Sequence, residues 1–167
     1  LVLKERASLD VTGAEGRCRV RPGGGIRLEG AKHATVRNAA ELEFDHAAFL
    51  TRSGGQELIA ESGGIIRVRA GAKVSLDGRI RVRSGSSLII GDSSVVFLRD
   101  LVVERGGTFE VRPVAHVSFG SSVITVDGRF LANGGSRSKE RITFTSRIAD
   151  NCRFDAREHI LMQGRTK

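Results

Sequence analysis

The chain contains no tryptophan and no tyrosine, and only two prolines, two cysteines and one methionine. Each shortage excludes something. Eight phenylalanines are the whole aromatic complement, so a core has to be built from Val, Ile, Leu and Phe in small layers. Bases stack on exposed aromatic rings, so a single-stranded nucleic acid partner loses its usual platform. Glycan-processing sites also want Trp or Tyr. No apolar run approaches the roughly 18 residues of a membrane span. Cys18 and Cys152 stand near opposite ends of the chain, too far apart in an elongated repeat for a disulfide, and read as buried free thiols. No Cys/His spacing fits a zinc site, and no metal or cofactor is expected. There is no signal peptide and no initiating Met. A chain starting at Leu1 reads as a processed form or a piece of a longer protein.

What is present is glycine, 21 residues of it, spaced through a quasi-repeat of about 22 residues. The clearest pair of units is Gly63 to Ser84 (GGIIRVRAGAKVSLDGRIRVRS) and Ser86 to Gly107 (SSLIIGDSSVVFLRDLVVERGG). Each holds three strand-like runs with apolar residues at i and i+2, which point the same way from an extended chain. Turns are expected where Gly permits positive φ, at Gly63-Gly64, Gly71, Gly78, Gly85, Gly91, Gly106-Gly107 and Gly128.

The runs stack into three apolar columns. One holds Ile66, Leu88, Phe109 and Phe130. The second holds Val74, Val96, Val117 and Ile142, and the third Ile80, Val102, Ile124 and Cys152. Columns apolar at every level are what in-register parallel strands require. The expected architecture is all-β: a right-handed parallel β-helix of about six three-sided coils over residues 1–154, right-handed by the chirality of crossovers. Residues 155–167 form a C-terminal cap or tail. Asp155 and Glu158 make a capping-box pattern, so a short helix is expected there. Polar loops are expected at 51–57 and 133–140.

Three-sided coils of this length resemble right-handed parallel β-helix proteins. The stretch Asp127 to Gly134 (DGRFLANG), followed by Arg141 to Ser146 (RITFTS), resembles the "G-x-L-x-A-x-G … I-x-F-T-S" coil of bacterial secreted and cell-surface members. The Trp-Gly-containing coil that often follows in those proteins has no counterpart in Arg147 to Phe154. Bactofilin-type polymers are also small β-helices, but with shorter coils. The resemblance implies an extracellular or cell-surface location.

The net charge is +8, carried by 22 Arg and 5 Lys against 19 acidic residues. Arg67 and Arg69 flank inward Val68. Arg79, Arg81 and Arg83 flank inward Ile80 and Val82. Period two puts all five on the outside of one coil, as Arg17, Arg19 and Arg21 are near the start. These five are the candidate partner-binding residues, facing an acidic polysaccharide or another anionic surface. The competing reading is a solvated outer face that keeps the rod soluble, and the five divide between two faces.

Catalysis finds little support. Asp77, Asp92, Asp100, Glu104, Glu110 and Asp127 are scattered, four of them at turns, and no two share a column in adjacent coils. Among His33, His46, His116 and His159, only Asp45-His46 beside Glu43 makes a compact acid/His group, and it reads as a surface turn. The Gly-Gly pairs lack the Gly-Lys-Ser/Thr of a phosphate loop. A repeated Thr column, which an ice-binding face needs, is missing. The chain therefore reads as a non-catalytic structural or adhesive module. The alternatives are a filament or coat subunit that self-associates through coil ends or faces, and a polysaccharide-processing β-helix enzyme.

Overall fold

The computed structural model describes residues 1–3, 8–29, 33–52, 56–119, 124–133, 141–146, 154–156, 159–163 and 165–166. The first level of strands is β1 (Val2–Leu3), β2 (Leu9–Thr12) and β3 (Arg17–Val20), and the second is β4 (Gly25–Leu28), β5 (Ala34–Arg37) and β6 (Glu41–Phe44). The third is β7 (Phe49–Arg52), β8 (Glu57–Ala60) and β9 (Ile65–Val68). At the next two levels the first two strands fuse, giving β10 (Lys73–Val82) with β11 (Ser87–Ile90), then β12 (Val95–Val103) with β13 (Thr108–Val111). Above them lie β14 (His116–Phe119), β15 (Ile124–Val126) and β16 (Arg129–Asn133), then β17 (Arg141–Ser146), β18 (Phe154–Ala156), β19 (His159–Gln163) and β20 (Arg165–Thr166).

Every ladder is parallel, and each strand pairs with its counterpart one coil away. The result is a three-faced parallel β-solenoid. Its third face is a seven-stranded sheet in the order β3-β6-β9-β11-β13-β16-β19, in line with the expected number of coils. There is no helix among the described residues, and so none long and apolar enough to cross a membrane.

Pairs of inward residues on a strand build the core, as Leu42 with Phe44, Ile66 with Val68 and Leu88 with Ile90 do. On the third face Ile66, Leu88, Phe109 and Phe130 pair in succession, as expected, and Leu42 extends the column by one coil. The Phe109 and Phe130 rings stack at 5.3 Å. Val74, Val96 and Val117 also align, but the next partner is Phe144, not Ile142. Both have the right parity, so sequence alone could not choose between registers two residues apart.

The third column is corrected in another way. Ile80 pairs with Leu101, and Leu101 with Ile124, so Val102 faces outward. The register shifts between Leu76 and Arg79, because the corner there holds Asp77 and Gly78 in one coil and only Arg99 in the next. Losing one residue reverses which side chains point in. Ile124 then pairs with Phe154; Cys152 lies outside the described residues.

The expected helix is also corrected. Its stretch contains β18 and β19, with Ile124 opposite Phe154 and Phe130 opposite Ile160. A short isolated helix is marginal, whereas the coil beneath offers a complete row of backbone partners. The loop expected at 133–140 lies outside the described residues except for Asn133, which ends β16, and the 51–57 loop is described only at its two ends.

Two of the three corners are four-residue turns, and these stack as strictly as the strands. Between the second and third faces the turn closes on Gly16, Ala40, Gly64, Ser86 and Gly107 in successive coils. Each carbonyl of this column accepts from a backbone N–H of the next coil, as Gly16 does from Glu41, Ala40 from Ile65 and Gly64 from Ser87. Only small residues fit. A Cβ on Gly64 would lie 2.0 Å from the Val36 carbonyl oxygen, which is fixed in the ladder. Positive φ is therefore not the reason for Gly64, Gly78, Gly91, Gly107 or Gly128. It is found at Gly63, Gly71, Gly85 and Gly106, and also at Asn38, Ala39, Ala47, Ser62, Ser93 and Val114.

At the corner between the third and first faces, Gly23, Ala47, Gly71, Ser93 and Val114 occupy one stacked position, all with positive φ. The N–H of each of the first four but Ala47 bonds to the turn of the next coil: Gly23 to His46, Gly71 to Asp92 and Ser93 to Pro113, while Ala47 bonds to Lys73. Val114 inherits that backbone at φ 62°, which a β-branched residue resists. Left-handed backbone costs an L-residue about 1–2 kcal/mol. Val114→Gly should thus stabilise the protein by about 1 kcal/mol, and Gly71→Val should destabilise it by at least as much; equilibrium denaturation checks both. Gly64→Ala should lower the unfolding midpoint more than Gly71→Val, because the atom it meets is backbone.

Candidate functional site

The five arginines singled out from sequence are not free cations. Arg67 Nε lies 2.7 Å from Glu41, and Arg69 reaches Asp45 at 2.9 Å. Arg81 donates to both oxygens of Glu57, from Nε at 2.8 Å and Nη2 at 2.9 Å, and from Nη1 to Glu104 at 2.9 Å. Arg79 approaches the same Glu57 at 3.5 Å, and Arg83 pairs with Glu61. All these carboxylates come from the coil below or above. The ladder register sets the pattern: outward residues of one strand stand over outward residues of the next, within reach of each other.

As expected, the five divide between faces, Arg67 on β9 and Arg79 with Arg81 on β10. They also differ in depth. The side chains of Arg67 and Arg81 are about a quarter exposed, while those of Arg69, Arg79 and Arg83 are 51%, 40% and 47% exposed. Arg81 is the hub. It joins Glu57 on one coil to Glu104 on another, so a continuous chain of charge-assisted bonds crosses three levels.

Glu57 faces outward by parity yet is buried. Arg79 and Arg81 cover it, and its backbone N–H donates to His33 Nδ1 at 3.1 Å. The Arg81 hydrogen bonds hold the Glu57 carboxyl below its ordinary value, outweighing the opposing effect of burial. Arg81 is raised in turn by Glu57 and Glu104. Asp45 is likewise lowered, chiefly by the His46 backbone N–H at 2.7 Å and then by Arg69.

Sequence reasoning missed the acidic half of this ladder. Glu41, Glu57 and Glu61 drew no attention because their partners lie more than twenty residues away. Four of the acidic residues weighed for catalysis are tied up in the same way, Glu104 by Arg81 among them. Asp77 pairs with Arg99 at 2.8 Å and Asp100 with Arg52 at 2.6 Å. Glu110 pairs with Arg112 on its own coil. The Asp45-His46 group is a turn whose carboxylate caps its own backbone and meets Arg69. Among the described residues, no three His, Cys, Asp or Glu side chains are placed to hold a metal ion. Cys18 is a free thiol, half-buried.

No protein-family model, no curated protein and no solved structure matches this chain. The geometry of its own charges is the basis for reading it.

The ladder has a pH signature. A carboxyl whose folded value is depressed stabilises the fold fully above its unfolded value, and that contribution is lost as pH falls through the folded value. Stability should be flat near neutrality and fall below about pH 4.5, the ordinary value for Glu57. Glu57→Gln should cost about 2 kcal/mol at neutral pH, since hydrogen bonds to charged groups are of that size, and should flatten the acid limb. Denaturant unfolding at several pH values reads both effects.

Proposed function

We propose that this chain is a non-catalytic structural module, a stiff solenoid that works by holding its shape and holding outward side chains at fixed spacing. The observation that carries the reading is the Arg81 hub with its neighbours: the outer charges are arranged to bind one coil to the next. Such pairing is what a load-bearing rod needs, and it engages Asp77, Asp100 and Glu104 with arginines. The likeness of 127–134 and 141–146 to secreted and cell-surface β-helix coils supports a place outside the cell or in its envelope.

The adhesive part of the proposal rests on the basic surplus, +8 over the whole chain. An arginine has five N–H donors in a planar fork. Half-exposed Arg69, Arg79 and Arg83 each keep donors beyond those given to their carboxylates. They are the residues available to an acidic polysaccharide, whereas Arg67 and Arg81 serve the rod. A double substitution Arg79→Gln/Arg83→Gln should weaken retention on a sulfated polysaccharide column and move the unfolding midpoint little. Arg81→Gln should do the reverse, lowering stability by about 1–3 kcal/mol with a smaller change in retention. Wild-type protein that passes through the column at low salt would remove the adhesive part and leave the structural one.

A further inference from the structure

On the first face one outward column alternates between small and aromatic side chains. It runs Gly25, Phe49, Ser75, Phe97 and Ser118, one residue per coil. Phe49 and Phe97 are partly exposed. The glycine beneath Phe49 reveals how its ring lies. A Cβ on Gly25 would stand 2.3 Å from Cε2, 2.3 Å from Cζ and 2.5 Å from Cδ2 of that ring. Distances so nearly equal to three successive ring atoms occur over the face of a ring, whereas at its edge they diverge. The Phe49 ring therefore lies flat on the Gly25 backbone, and only glycine leaves room for it. One face of the ring covers the strand. The other is turned outward.

Cations flank this ring. Register makes Lys73 and Arg27 the diagonal neighbours of Phe49, Lys73 one coil above on the side of the third face and Arg27 one coil below on the side of the second. Lys73 is exposed and has no ion pair among the described residues. The Arg27 side chain is 51% exposed, with a long 3.5 Å contact to Glu29. Asp77, at the end of the same face, is taken by Arg99. Phe49 and Phe97 stand two coils apart, about 9.5 Å or twice the spacing of neighbouring strands. An extended β-1,4-linked glycan advances by a similar distance over two sugars and then presents the same ring face again. Further coils stacked on either end of the rod would lengthen this face without covering it.

We propose that the first face is a stacking platform for a uronic acid glycan, which runs along the rod with one sugar on Phe49 and the next but one on Phe97. The C–H face of a pyranose ring lies on the outward face of the Phe49 ring, where the ring quadrupole is negative. The carboxylate of that sugar projects sideways to Lys73 or Arg27. The hydroxyls of the intervening sugar meet Ser75, which is exposed between the two rings. A single-stranded nucleic acid fits less well, because successive bases ask for successive rings and a serine separates these two. The inference rests on the reading of this chain as a binder of acidic polysaccharide. It adds a place for the sugar ring to the arginines that meet its charge.

The test is NMR titration with two tetrasaccharides that differ only in the acid group, β-1,4-linked mannuronate and β-1,4-linked mannose. Saturating the phenylalanine ring protons should transfer magnetisation to the C–H protons on one face of the mannuronate sugars. Mannuronate should bind at least about fivefold tighter than mannose and weaken with salt. Phe49→Leu still covers Gly25 but has no ring. It should bind mannuronate about fivefold to tenfold more weakly, the size of one aromatic contact, and keep an unfolding midpoint close to wild type. Lys73→Gln/Arg27→Gln should bring mannuronate down to the affinity of mannose. Equal binding of the two sugars, undiminished binding by Phe49→Leu, or tighter binding of oligothymidylate would overturn the inference. So would wild-type protein that binds neither tetrasaccharide. If that protein is still retained on the sulfated polysaccharide column, the platform alone falls; if it is not, the adhesive reading falls with it.

Discussion

The parallel hydrogen-bond ladder governs everything else in this molecule. Each strand finds its backbone partners only in the coil above and the coil below, so the chain must return to the same place every turn. This demand extends to the corners, where the carbonyl of one turn accepts from the coil above it. A position in one coil is therefore a position in all of them. Three consequences share that origin: apolar residues form columns, small residues form corner columns, and outward residues stand over outward residues.

The charge pattern is the least obvious of the three. A parallel ladder with like charges in register would repel along the whole face. Here β6 is acidic between two basic strands, and Arg81 lies between Glu57 and Glu104. An exposed ion pair contributes little by itself. These pairs share hubs, are partly buried and repeat along an axis, and in that arrangement they favour one register over its neighbours. A coil slipped by one residue would lose its apolar contacts and set its outward charges against the wrong partners. The five arginines that from sequence read as a surface for an outside anion also brace one coil against the next.

How much of this was legible in the sequence follows from how far each signal reaches. The inward column through Ile66, Leu88, Phe109 and Phe130 was legible because parity within a strand is a local property and the turn spacing between these four is nearly constant. Val102 was misplaced because one residue fewer at the Arg99 corner reverses parity, and nothing local announces that loss. Phe144 was passed over for Ile142 because both satisfy the same alternation. The capping pattern at Asp155 and Glu158 was a sound local signal that a non-local ladder overrode. The acidic partners were hidden for the opposite reason. Glu57 and Arg81 are plain charged residues in their own neighbourhoods, and only the coil length brings them together.

The same logic makes the ends of the rod its most informative places. In the middle, each strand is paired on both sides, and many outward charges find their partners one coil away. At β3 the rules still hold but half the answers are missing among the described residues. Arg19 occupies the position that Arg67 occupies two levels on, where Glu41 meets it. A repeat protein thus specifies the chemistry of what can extend it through the pattern it uses inside. For this chain that pattern alternates in charge from level to level, with acidic β6 set between basic β3 and β9 by register.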